Sequence, residues 1–185
     1  MKLNISKLLT QYFSVILLAI FGFTMLSCSE TPDQFFGTAV LNTNATNDFA
    51  TPNLAKNIND ETIEFADIPS SKNKGDEAII FVNNKILYLE KSLNDIKTLN
   101  ANSDDRKAIK EKSLALYEFV IPIYKNEYTN YAKLCDSKAD PTKKEEAVKL
   151  IEQKYSSTFE KMYIDLMDAG KAFANQNKLN VNWGN

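Results

Sequence analysis

Histidine is absent from this 185-residue chain. Its absence removes the commonest general base, the imidazole ligand usual at zinc sites and the side chain that titrates near neutral pH. The Glu-x-x-His signature of di-iron helical bundles is excluded with it. Glycine is scarce, at five in the whole chain, and no Gly-rich loop that could cradle phosphate occurs. Arg106 is the lone arginine, so bidentate phosphate recognition by guanidinium forks is largely out of reach. The chain carries 22 basic and 24 acidic residues. That balance argues against nucleic acid as a partner, since such affinity rests on neutralising phosphates. The spacing of carboxylates in an EF-hand is missing as well. No catalytic residue, metal site or cofactor is predicted, and the chain reads as a non-enzyme.

Charge is also absent from a long stretch near the start. Lys2 and Lys7 precede an uncharged apolar run from Leu8 to Ser27, which ends at Leu26-Ser27-Cys28. A basic n-region followed by an apolar h-region is the layout of a secretory signal. With the cysteine at its end, the stretch resembles the lipoprotein class of bacterial signal peptides, in which the chain is cut before the cysteine and the cysteine is acylated. Ser27 fits that class, whereas Met25 and Leu26 depart from its usual leucine and small residue. An uncleaved anchor is the alternative, because about twenty apolar residues can cross a bilayer. No basic cluster follows the run, however, and acidic Glu30 and Asp33 do. The resemblance implies a palmitate-bearing lipoprotein lipidated at Cys28 and attached to a membrane through that lipid. Ser29 after the cysteine, in place of aspartate, implies sorting to the outer membrane of the cell envelope. Loss of Lys2 and Lys7 with residues 1–27 leaves 20 basic against 24 acidic side chains, a net charge of −4. Once Cys28 carries lipid, Cys135 has no disulfide partner and reads as a buried structural thiol.

Residues 28–74 lack sustained periodicity and are rich in Asn, Thr, Ser, Asp and Pro, most clearly in Asn42-Thr43-Asn44-Ala45-Thr46-Asn47. This composition predicts a lipidated, mostly disordered tether. Phe35, Phe36, Val40 and Leu41, then Ile63, Phe65 and Ile68, are the side chains that could dock on a neighbouring domain. Beyond Gly75 the pattern turns helical. Ile79, Val82, Ile86, Leu89, Leu93 and Ile96 recur at steps of three and four, predicting a helix over about 76–100. A second helix is predicted over 104–136, with Ser103 as N-cap and a kink at Pro122 that bends it near 118–122. Past the proline the apolar row shifts by one, to Tyr124, Tyr128, Tyr131 and Cys135. Asp140-Pro141 opens a third helix over 141–177, carrying Val148, Ile151, Tyr155, Phe159, Met162, Leu166, Ala169 and Phe173. The predicted fold is all-α: residues 75–185 as an elongated up-down-up three-helix bundle with a kinked second helix.

Tyr117, Tyr124, Tyr128 and Tyr131 form the candidate partner or ligand surface, because tyrosine combines apolar area with a polar tip. Their other reading is bundle core with hydroxyls at the rim. Gly170 implies a close approach by a neighbouring helix, since glycine within a helix costs about 1 kcal/mol relative to alanine. Asp165 and Asp168, with Glu118 or Glu127, are read as solvated carboxylates rather than an acid–base pair. The function expected is a non-catalytic cell-envelope lipoprotein, a helical-bundle interaction or scaffolding subunit with an envelope protein partner, in layout like accessory components of secretion assemblies. The alternative is a small-ligand or lipid carrier, with a groove at the kinked helix lined by Tyr124, Tyr128, Phe159 and Met162.

Overall fold

A computed structural model describes residues 30–183. The expected signal segment and Cys28 lie outside the described residues. The fold is all-helical, and no strand occurs among the described residues. In chain order the helices are α1 (Pro32–Ala39), α2 (Pro52–Asp60), α3 (Glu77–Thr98), α4 (Asp104–Ile123), α5 (Thr129–Asp136) and α6 (Pro141–Gln176). A 3₁₀ segment, Leu41–Thr46, lies between α1 and α2, and a wide π-type turn, Tyr124–Tyr128, joins α4 to α5.

α3 buries Ala78, Val82, Ile86, Leu89, Ser92 and Ile96, one stripe at steps of three and four. Its first free N–H groups are satisfied from far along the chain. Asp136 Oδ1 accepts from Ala78 N at 2.9 Å, and Asp136 Oδ2 accepts from Ile79 N at 3.1 Å. α6 starts as its sequence requires, with Pro141 in the first turn and Asp140 accepting from Thr142 N at 2.8 Å. Its 36 residues make a rod of about 54 Å. It packs along α4, while α3 packs on both α4 and α5.

The irregularity nearest Pro122 lies beyond the bend expected near 118–122. The helix runs unbroken through Pro122 to Ile123, and the wide turn follows at Tyr124–Tyr128. Proline has no N–H to give the carbonyl four residues back, so the regular ladder is already interrupted there. Downstream, Thr129 Oγ1 donates to Tyr124 O at 3.0 Å and Asn126 Nδ2 donates to the Pro122 carbonyl at 2.8 Å. A π-type turn accommodates an extra residue. The buried row therefore moves from Leu116, Val120 and Ile123 to Tyr124, Tyr128, Tyr131 and Cys135.

The tether expectation for residues 28–74 needs correction. Residues 32–60 are folded onto the helices, and Phe35, Phe36, Ala39, Val40, Phe49, Leu54, Ala55 and Ile58 are core. Thr31 and Gln34 form a capping box ahead of α1, and Thr51 accepts from Leu54 N ahead of α2. Both caps are followed by proline, the same start signal as Asp140-Pro141. The Asn/Thr-rich patch is ordered by a period of three. Val40, Thr43, Thr46 and Phe49 all face inward and are essentially buried, as the eclipsed side chains of a 3₁₀ segment require. Thr43 and Thr46 bury their hydroxyls by donating back to Val40 O and Thr43 O, at 2.5 and 2.7 Å. The chain is thus anchored by packing from its first described residues.

Candidate functional site

The four sequence-predicted tyrosines do not form a surface. Tyr117, Tyr124, Tyr128 and Tyr131 are all buried, so none presents its ring to a partner. Tyr128 Oη accepts from Ala50 N at 2.9 Å, and Tyr131 Oη donates to Ala55 O at 3.2 Å. Both bonds run to the N-terminal segment. Burial pushes the Tyr117 hydroxyl up to about 12, with the Ser92 hydroxyl pulling the other way. Burial also raises Tyr124, Tyr128 and Tyr131, and nearby Asp48 adds to the shift at Tyr124 and Tyr128. These are neutral, proton-bearing core groups.

The slot expected beside the kinked helix is occupied by the chain itself. The Phe49 ring lies 4.8 Å from Phe159, 5.8 Å from Tyr124, 5.9 Å from Tyr128 and 6.1 Å from Phe119, measured between centroids. Its neighbour Ala50 has a φ of 53°, a left-handed conformation costly for a residue with a Cβ. Tyr128 holds that backbone through the Ala50 N–H, and Asp48 pairs with Lys85 at 3.6 Å. Phe49 thereby fills the aromatic slot that the ligand-carrier alternative required.

The carboxylates behave as solvated groups. Glu118, Asp165 and Asp168 are exposed, Asp168 lies 3.9 Å from Lys171, and Glu127 accepts from Tyr155 Oη at 2.9 Å. Cys135 is a free, buried thiol whose pKa burial raises. Among the described residues no cluster of histidine, cysteine or carboxylates suits a metal ion.

What stands out at the surface is the turn between α2 and α3. Ile63, Phe65 and Ile68 are 44%, 55% and 48% exposed, three large apolar side chains within six positions. Yet their backbone is held firmly. Ser71 Oγ accepts from Phe65 N at 2.8 Å and donates to Ile68 O at 2.7 Å. Asn73 Nδ2 donates to Thr62 O at 2.5 Å, and Lys138 pairs with Glu64 at 3.7 Å. An apolar loop fixed in place has already lost the entropy that binding would otherwise remove. In the sequence these three residues stand out only as groups able to dock on a neighbouring domain, and nothing local marks Ser71 and Asn73 as the residues that fasten their backbone.

The opposite end of α3 is where the described chain begins. Glu30 accepts from Asn100 N at 3.1 Å through Oε2, and its carbonyl accepts from Arg106 Nη2 at 3.2 Å. The guanidinium of Arg106 lies 4.8 Å from the Phe35 ring centroid and 6.0 Å from that of Phe173. The lone arginine is therefore a clamp on the N-terminal segment. The clamp and the apolar turn sit at the two ends of a helix about 33 Å long, from its 22 residues.

No family model, curated protein or solved structure matches this chain. Among the described residues no helix is long and apolar enough to cross a membrane.

Proposed function

We propose that this chain is a non-catalytic lipoprotein of the cell envelope that holds a protein-binding tip away from the membrane. Acylation at Cys28 attaches it, most simply to the outer membrane, two residues before the Glu30 clamp. The three long helical segments form an elongated up-down-up bundle, bent in its second member around Pro122. This rod separates the lipid from the turn carrying Ile63, Phe65 and Ile68. The observation that carries the reading is that turn: exposed apolar anchors on a preorganised backbone, at the end of α3 opposite Glu30. Aromatic and aliphatic anchors of this kind supply most of the affinity in protein interfaces. The partner is an envelope protein with an apolar cleft, and the chain serves as a scaffolding or accessory subunit.

The test combines attachment and binding. Radioactive palmitate should label the protein in cells, and Cys28→Ala should abolish the label. A photo-crosslinking residue in place of Phe65 should capture one discrete envelope protein in intact cells. Ile63→Ser with Phe65→Ser should remove the co-purifying partner while helical content and melting temperature stay within a few degrees of the parent. Capture that is indiscriminate, or a partner retained by the double variant, would count against the tip.

A further inference from the structure

A second surface feature has different chemistry. Between the Leu41–Thr46 segment and the second half of α6 lies a groove of about 410 Å³, within the roughly 300–1,000 Å³ span of small-ligand sites. Its lining includes Asn44, Asn47, Tyr163, Met167, Lys171 and Trp183. We propose that this groove binds an oligosaccharide carrying acetamido groups. The inference is independent of the tip and of its partner.

The composition of the walls is what selects the ligand class. Side-chain amides offer a donor and an acceptor in one plane, which matches neighbouring sugar hydroxyls and the acetamido group itself. Asn44 is already oriented, because its Oδ1 accepts from Tyr163 Oη at 3.0 Å. That bond leaves the Asn44 NH₂ as its donor towards a ligand. Asn47 lies one 3₁₀ turn further on, is exposed, and makes no side-chain hydrogen bond among the described residues. Trp183, half-buried, adds an aromatic ring to the wall against which the C–H side of a sugar ring can pack. It is braced edge-on by Phe36, with ring centroids 5.8 Å apart, and Lys171 Nζ lies 5.8 Å from its centroid. Leu41, at 40% exposed, and Met167 add a small apolar wall suited to an acetyl methyl.

Other ligand classes fit less well. A fatty chain would cover the amides without bonding them, and a polar group stripped of water and left unpaired costs about 1–3 kcal/mol. Among the described residues the groove has no acidic lining residue, and its one cation there, Lys171, lies 3.9 Å from Asp168 just outside it. A neutral, hydroxyl-rich ligand with one or two methyl groups satisfies both kinds of wall.

Trp183 is the single tryptophan of the chain, so its fluorescence reports on this groove alone. The full-length protein in detergent micelles is titrated with the N-acetylglucosamine trimer, with a glucose trimer and an N-acetylated trialanine amide in parallel. The expected result is a saturable change in Trp183 emission with the acetylated sugar and a weaker response to the glucose trimer. Asn47→Ala should weaken binding about tenfold, the loss of roughly one ligand hydrogen bond, with unaltered helical content. Absence of a saturable change overturns the site, as does an affinity that Asn47→Ala leaves untouched. A peptide response equal to that of the sugar overturns the saccharide assignment.

Discussion

Phe49 shows how one side chain decides what a protein is not. The aromatic slot formed by Phe119, Tyr124, Tyr128 and Phe159 has the character of a ligand pocket, and Phe49 closes it with four ring contacts. The tyrosines around it are held neutral, which has a consequence at high pH. A tyrosine whose folded pKa is raised binds its proton more tightly in the native state than in the unfolded chain. For Tyr117 the resulting stability is complete below its ordinary value of 10.0 and drains away as pH rises to about 12. Tyr124, Tyr128 and Tyr131 shift in the same direction. Alkaline titration should therefore show phenolate absorbance from these residues appearing together with loss of helical circular dichroism, above pH 10. Tyr117→Phe should leave that transition with one fewer phenolate. Smooth ionisation of all tyrosines near their ordinary pKa, in a protein that stays folded, would contradict the buried assignment.

At the scale of elements, Gly170 in α6 is explained by the segment that docks on it. A Cβ at this position would lie 2.8 Å from Val40 Cγ1, 3.3 Å from Val40 Cγ2 and 3.5 Å from Phe36 Cε2. The close neighbour is the N-terminal segment, not another long helix facing the tyrosines. Valine is stiff about χ1 and cannot swing clear. Gly170→Ala gains about 1 kcal/mol of helix propensity, but overpacking of this kind costs roughly 1–3 kcal/mol. The net change expected is a small loss of stability, read as a lower denaturant midpoint. Val40→Ala alone should also destabilise, whereas the double variant should recover part of the loss, because the clash is then gone. Additive single effects would place the two residues out of contact. The same segment shows why sequence periodicity underestimated it. Val40, Thr43, Thr46 and Phe49 repeat every three residues, and a search for steps of three and four alternating, or of two, does not register a row half made of threonine.

At the scale of the molecule, residues 32–60 belong to the core. Phe35, Phe36, Phe49, Leu54 and Ile58 are all at most 1% exposed. Burying side chains of this size is worth about 1.5–3 kcal/mol each as an upper bound, and the total rivals the ~5–15 kcal/mol by which whole domains are stable. A chain beginning at residue 75 should accordingly lose cooperative thermal unfolding and bind a hydrophobic dye, even though every long helix is retained. A sharp melt equal to that of the parent would restore the tether. Placing this segment on the helices also sets Glu30 and the apolar turn at opposite ends of α3. Arg106 fixes the chain at Glu30, and Ser71 and Asn73 fix the turn beside the other end of α3.

The amino-acid order alone determined that the fold is helical. Steps of three and four place Val82, Ile86, Leu89 and Ile96 on one stripe of α3, and a missing proline N–H perturbs the helix that contains Pro122 wherever the chain goes afterwards. Cap residues such as Asp140 act over two or three positions, so they too are legible locally. Tertiary structure decided which polar-looking segment was core and which apolar one was surface. Burial of Phe49, the capping of α3 by Asp136 and the demand for Gly170 all depend on residues from 57 to 130 positions away, joined only once the chain has closed on itself. Local composition carries no record of such closures. For the same reason the turn at Ile63, Phe65 and Ile68 is exposed: whether an apolar side chain finds a partner is settled by where the rest of the chain ends up.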